Sequence, residues 1–292
     1  MFKFKLLKIV LILSTQLTFA SSSLSTAILV DKKTNQIHVS EYDDGTYRFL
    51  RTYHATLGRV QGDKEDENDL KTPEGIYTFK SVLTPPALQR KFGAMAFYMN
   101  FPNSFDQLAG RTGSGIMLHA TNEPERLKKN YDSEGCVVVK NEEILEIKPF
   151  IRLGLTPILV FSELTENFLK PGLDQSLKIF FSNWVQSWET KDIEKYMNSY
   201  HTDFSANKKN KSAWKAYKTT LNSVYSSIEV RPENILYYRH PKYSMVTFTQ
   251  NYQSKRKTGG WGLRSRGTKI LYIAEEEGKL KIIAETYTSL MW

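Results

Sequence analysis

The chain has 292 residues, 40% of them apolar, a formal net charge of +9 and one cysteine, Cys136. A single cysteine excludes an internal disulfide, and the apolar content is ample for buried cores in the two domains that this length suggests. The basic residues are scattered, so the charge admits a nucleic acid, an anionic lipid or an acidic polymer such as bacterial cell wall and selects none of them.

The chain opens with "MFKFKLLKIVLILSTQLTFASSS". Lys3, Lys5 and Lys8 precede an apolar stretch, and Thr18 and Ala20 supply small residues near its end. That is the layout of a cleaved secretory signal over residues 1–20, too short to span a bilayer comfortably. It predicts export, a periplasmic location and membrane contact only in transit. No cysteine stands near the cut to carry a lipid. Past this segment no apolar run is long enough to cross a membrane. In an oxidising compartment the Cys136 thiol is a liability unless it is used.

From Ala27 to Phe161 the pattern is mostly strand-like. "AILVDKKTNQIHVSEY" and "GTYRFLRTYHATLG" read as short strands between turns, "KTPEGIYTFKSV" enters a strand through a Pro-Glu-Gly turn, and "TPILVF" closes the series. "NEEILEIKPFIRLG" reads as a helix capped by Asn141, with Glu142 and Glu143 at its positive end and Gly154 as its stop. Pro171-Gly172 marks a linker. Beyond it, Leu177, Phe181, Trp184, Val185 and Trp188 recur at helical spacing, and four strand-like segments end the chain. Helices followed by curling strands predict an α+β module. The division is a β-rich domain over 25–162, a linker over 163–173 and an α+β domain over 174–292.

The stretch "HATNEPERLKKNYDSEGCVVVKN" (119–141) holds the thiol and one of five histidines. A lone cysteine is either a buried hydrophobe or a nucleophile. A thiol attacks as its thiolate, which an imidazole generates by taking the proton. His119 follows the strand-like "GIML", and Gly135 would let amide groups at 135 and 136 approach a carbonyl and stabilise an oxyanion. These are the parts of a cysteine acyl-transfer site.

The segment resembles the signature of the L,D-transpeptidase (YkuD-type) catalytic domain, in which a histidine followed by a small residue precedes Ser-x-Gly-Cys. The chain supplies His119-Ala120-Thr121 and Ser133-Glu134-Gly135-Cys136, and "GDKEDENDLKTPEGIY" (62–77) resembles the family's upstream segment. The resemblance covers about residues 25–161. It implies Cys136 as nucleophile and His119 as general base. It also implies the Ala120 carbonyl as orienter of the imidazole, Gly135 N–H at the oxyanion site and Ser133 as support for the loop. Neither cofactor nor metal is implied. The expected substrates are peptidoglycan stem peptides, cut between the L-centre of meso-diaminopimelate and D-alanine through a thioester.

Most relatives carry Arg two residues after the cysteine, where this chain has Val138. The apolar Gly-Cys-Val-Val run, and a second half containing "NWVQSWETKDIEKYMNSYHTDF" and "VTFTQNYQS", resemble the two-domain L,D-carboxypeptidases that shape helical bacteria. By that resemblance the α+β unit is a cone-shaped nuclear transport factor two-like (NTF2-like) domain. Its aromatics, Phe181, Trp184, Trp188, Trp214 and Tyr217, are either core or a pocket for glycan, peptide or a protein partner. A non-catalytic wall-binding scaffold is the competing function, and a thiol oxidoreductase lacks Cys-x-x-Cys. No nucleic-acid partner is expected.

His38, His54, His201 and His240 read as structural, with His54 the one that could approach the site. Lys64, Lys71 and Arg111 are candidate contacts for substrate carboxylates. The acidic run "DKEDEND" lacks calcium-loop spacing and reads as a solvated turn. The basic runs "KKNK" and "SKRK" read as exposed loops.

Overall fold

The structure, a computed structural model, describes residues 25–169 and 175–290. The expected signal segment and Pro171-Gly172 lie outside the described residues.

The first unit contains ten strands: β1 (Ser25–Asp31), β2 (Gln36–Asp43), β3 (Thr46–His54), β4 (Leu57–Gly58), β5 (Gly75–Leu83), β6 (Ala96–Met99), β7 (Met117–His119), β8 (Tyr131–Ser133), β9 (Val137–Val138) and β10 (Pro157–Phe161). Helices α1 (Ser104–Leu108) and α2 (Asn141–Ile147) interrupt them. Eight strands form one mixed sheet in the order β3-β2-β1-β10-β5-β6-β7-β9, with β4 and β8 paired beside it. The runs "AILVD" and "PILVF" lie side by side in parallel at its centre and are buried on both faces. That explains why they read as continuous apolar segments rather than alternating ones.

The expected helix from Asn141 is shorter than its sequence pattern. It ends at Ile147 and gives way to a single 3-10 turn over Lys148–Phe150. Pro149 lacks the amide that would continue the ladder and disfavours helical geometry at Lys148. Asn141 is also the first helical residue rather than the cap. Its side chain instead accepts from Ala94 N–H at 2.7 Å and donates to Thr121 O at 3.2 Å, bracing the chain just past His119.

The second unit begins with α3 (Glu166–Leu169), α4 (Gln175–Glu189) and α5 (Ile193–Asn198), followed by β11 (Tyr200–Ala206), β12 (Lys209–Asn210) and α6 (Lys211–Val224). Four long strands follow, β13 (Tyr225–Arg239), β14 (Ser244–Arg256), β15 (Trp261–Glu276) and β16 (Lys279–Ser289). The sheet order is β12-β11-β16-β15-β14-β13. The four expected terminal strands are present; β11, hidden in the polar run "YHTDFSA", adds a fifth long one.

One face of this sheet packs against α4–α6 around Phe181, Trp184, Trp188, Tyr196 and Trp214. These aromatics are therefore core, while Tyr217 is exposed. The other face presents Tyr238, Tyr243, Met245, Tyr272 and Ala284 to Ala27, Leu29, Ile76, Leu159 and Phe161 of the first sheet. Alternation along β1 sends Ile28 and Val30 into the first unit's own core and Ala27 and Leu29 into this shared one. The two units thus meet through a continuous apolar interior.

Candidate active site

Register decides where the reactive groups point. In the parallel ladder between β7 and β9, Leu118 stands opposite Val137 and His119 opposite Val138. Leu118, Val137 and Val139 belong to the main core. With a two-residue side-chain period, Met117, His119, Cys136 and Val138 therefore share the other face. Met117 and Cys136 pack there with Leu88, Ala96 and Phe92. Cys136 and His119 line one cleft of about 550 Å³.

His119 is buried, and its Nδ1 donates to the Ala120 carbonyl at 2.5 Å. This bond fixes the Nδ1–H tautomer and leaves Nε2 as the basic nitrogen. Phe92 meets the imidazole edge-on at 4.9 Å between ring centres. Burial pushes the His119 pKa down to about 4, and the nearby Arg126 and Lys91 charges act in the same direction. Cys136 is half-buried, with Sγ 3.7 Å from the Gly115 carbonyl. Burial pushes its thiol up to about 11, against the opposing pull of the Met117 amide and Arg126. Both shifts favour the neutral imidazole and the neutral thiol.

The turn before the nucleophile is tightly specified. Ser133 Oγ donates to the Cys136 carbonyl at 2.6 Å and accepts from Gly135 N–H at 3.1 Å. Ser133 therefore braces the loop, and the Gly135 amide expected at an oxyanion site is engaged inside the turn. Gly135 has φ +120°, and a Cβ there would stand 2.7 Å from the Lys71 carbonyl. The 62–74 segment is thus packed directly on the catalytic-type turn.

That segment walls the cleft with Lys64, Glu67, Asn68 and Leu70. Its acidic run is self-ordered: Asp69 accepts from the amides of Glu65, Asp66 and Lys71 and from Lys64 Nζ at 2.7 Å. Burial alone would raise the Asp69 carboxyl, but the Lys64 ammonium and these amides outweigh it and bring the pKa down to about 2. No group of three or more His, Cys, Asp or Glu among the described residues is placed to hold a metal.

Of the cations expected at the site, Lys64 lines the cleft but spends its ammonium on Asp69 and the Asp66 carbonyl. Arg111 is turned to Asp63 and Asp106 instead. Lys71 contributes its backbone. Sequence reasoning missed Arg59, Lys91 and Arg126, which line the opening with Asp132. Arg126 is held to Asp132 at 3.4 Å, whereas Lys91 is exposed over the Phe92 ring at 4.9 Å. Val138 is fully buried and not among the residues lining the cleft. Among the other histidines, His38 bonds Thr52, His54 is exposed at the end of β3, His201 faces Asp203 and Glu276, and His240 bonds the Val160 carbonyl.

The L,D-transpeptidase catalytic domain (YkuD) model matches residues 25–160, and the Cds6 C-terminal NTF2-like domain model matches residues 176–286. Bd1075 of Bdellovibrio bacteriovorus is 32% identical, with a TM-score of 0.77 over 93% of this chain and 95% of that one. The helical cell shape determining protein Pgp2 of Campylobacter jejuni shares the fold at 22% identity, with a TM-score of 0.68 over 90% of this chain and 91% of that one. YafK of Escherichia coli (strain K12), whose name assigns it provisionally to the L,D-transpeptidases, is 28% identical over 140 residues, 44% of this chain and 47% of YafK. The chain thus spans about half the length of the curated relatives it matches.

Proposed function

Because the chain belongs to the L,D-transpeptidase family, in the form that carries a Cds6-type NTF2-like domain behind the catalytic one, we propose that it is an exported cysteine enzyme that trims peptidoglycan tetrapeptide stems. The observation that carries this reading is the placement of Cys136 and His119 on one sheet face, in one cleft, with the imidazole tautomer fixed by Ala120.

The reaction follows from those positions. Substrate enters a cleft rimmed by Arg59, Lys91 and Arg126, which suits a stem end bearing carboxylates. His119 Nε2 takes the thiol proton as Sγ attacks the carbonyl at the L-centre of meso-diaminopimelate. The Cys136 N–H is the amide offered to the developing oxyanion, since Gly135 N–H is held by Ser133. Collapse breaks the amide, His119 passes its proton to the departing D-alanine nitrogen, and a thioester remains. Water, deprotonated by the same imidazole, then releases the tripeptide and restores the thiol.

An amine in place of that water would give a 3–3 cross-link. Trimming is favoured because Val138, standing where the family pattern has arginine, together with the Cds6-type second domain resembles the two-domain L,D-carboxypeptidases. A role in cell shape, as the name of Pgp2 states for that protein, goes with this reading.

Disaccharide-tetrapeptide incubated with the wild type is expected to yield D-alanine and tripeptide, and none with Cys136→Ala or His119→Gln. Diaminopimelate-linked dimers would assign transfer instead. Unchanged substrate with the wild type would leave the non-catalytic scaffold.

A further inference from the structure

Both walls of the cleft hang from one carboxylate. Asp63 Oδ1 accepts the Glu74 amide at 2.7 Å, which closes the neck of the 62–74 segment. Asp63 Oδ2 receives Arg111 at 2.5 Å, at the root of the opposite wall formed by Gly113, Ser114 and Gly115. The walls are also laced together, with Thr112 N–H on the Glu65 carbonyl at 2.9 Å and Glu67 N–H on Thr112 Oγ1 at 2.9 Å.

The remaining partner of Asp63 comes from the other domain. Lys242, in the turn between β13 and β14, places Nζ 2.6 Å from Asp63 Oδ2 and 2.6 Å from the Glu74 carbonyl. Beside it, Tyr243 Oη donates to the Ile76 carbonyl at 2.9 Å and accepts from Ile76 N–H at 2.8 Å. Lys32 secures the same neck from within the first domain, through the carbonyls of Gly62 and Thr72 and the Glu74 carboxylate. From this neck the backbone runs to Lys71, whose carbonyl bears on Gly135 next to the thiol.

We infer that Lys242 is a positioning residue for the Cys136 cleft: the NTF2-like domain supplies one of the two cations that fix Asp63, and through it sets the separation of the two walls. A half-buried carboxylate facing one cation instead of two admits water at the joint, and the 62–74 wall moves relative to Gly135. The surface left on the first domain by removing Lys242 is polar, so the effect is on geometry rather than on the apolar interface. This inference rests on the cleft being the active site proposed above.

The test uses the full chain with Lys242→Met, Lys242→Arg, Asp63→Asn and the Lys242→Met/Asp63→Asn pair. Two quantities are read: kcat and KM for tetrapeptide trimming, and the rate at which iodoacetamide alkylates Cys136. Lys242→Met is expected to lower kcat by about tenfold or more, with a smaller change in KM, as displaced catalytic groups do. It should also change the alkylation rate. Lys242→Arg should restore both to within about twofold, because a guanidinium can span the same two acceptors. The double variant should be no worse than Asp63→Asn alone, since both act through one joint. Wild-type kcat and alkylation in Lys242→Met would overturn the inference, and so would equal losses in Lys242→Arg and Lys242→Met. If Lys242→Met does not fold, the Lys242→Arg and Asp63→Asn comparison decides in the same way. If the wild type trims no substrate, the functional reading fails, while the alkylation rate still reports whether Lys242 governs the cleft.

Discussion

His119 gives its Nδ1 proton to the carbonyl of the next residue, Ala120, at 2.5 Å, so a backbone oxygen does what a carboxylate does in many cysteine sites. A carbonyl orients the ring without the full negative charge that would stabilise an imidazolium. Burial then keeps both partners neutral, with His119 near 4 and Cys136 near 11. Iodoacetamide alkylation of Cys136 in the ligand-free protein should therefore rise about tenfold per pH unit from pH 7 to about 10 and lie well below that of a free cysteine at pH 7. A rate already level between pH 5 and 8 would reveal a preformed thiolate–imidazolium pair and refute this picture.

Acid should loosen the fold in a defined window. His240, buried at the domain interface and bonded to the Val160 carbonyl, is pushed down to about 4 by burial, as is His119. Between pH 6.5 and 4 the unfolded chain binds protons that the folded chain refuses, so stability is full above 6.5 and falls as pH drops towards 4. Each histidine contributes at most about 3 kcal/mol to that slope. His38, also pushed down by burial, adds to the same loss, so denaturant titrations of His240→Asn should show a clearly smaller loss than the wild type across the window without abolishing it. An unchanged slope would mean that His240 is accessible to protons in the folded state.

Inside the NTF2-like domain, Lys269 and Glu285 form a buried ion pair at 2.5 Å, with Tyr200 Oη also on the Glu285 carboxylate. Lys269→Met would strand that carboxylate beneath Trp184 and Trp188, at a cost of about 3–5 kcal/mol. Removing both charges, as Lys269→Met with Glu285→Leu, should recover most of the loss in thermal melts. A double variant as unstable as the single one would show that Glu285 matters through Tyr200 rather than through Lys269.

At the domain junction Tyr243 Oη also accepts from Asn103 Nδ2 at 2.9 Å, completing its set with Ile76. Tyr243→Phe keeps the ring in the shared core and removes only these bonds; Asn103 Nδ2 keeps the Ile76 carbonyl at 3.1 Å, while the buried Ile76 N–H loses its acceptor. Stability should drop by about 2 kcal/mol. Hydrogen exchange at the Ile76 amide should accelerate beyond that global change. Equal acceleration throughout the chain would place the loss elsewhere.

The turn around Cys136 was legible because its spacing is local. Ser133, Gly135 and Cys136 lie in one turn, and the strand-like "GIML" announced the support for His119. The cleft rim was not. Arg59 follows β4, while Lys91 and Arg126 sit on two separate 3-10 turns, and nothing in their neighbourhoods distinguishes them from other surface cations. Lys242 and Asp63 are 179 positions apart, and only the packing of one sheet on the other brings them together. The helix from Asn141 was overextended because apolar spacing continued through Pro149, where backbone chemistry overrides the pattern. The strand Tyr200–Ala206 went unread because it is largely polar and borrows its stability from its parallel neighbour β16.

The stacking of the two sheets has a consequence for how the protein can be dissected. Ala27, Leu29, Ile76, Leu159 and Phe161 share one buried cluster with Tyr238, Tyr243, Met245, Tyr272 and Ala284, all of which come from the second unit. A fragment stopping at residue 169 would carry an oily plate open to water, prone to self-association and poor as a stand-in for the whole chain. The two halves are therefore expected to melt in one transition and to be inherited as one piece, unlike modules strung on a tether.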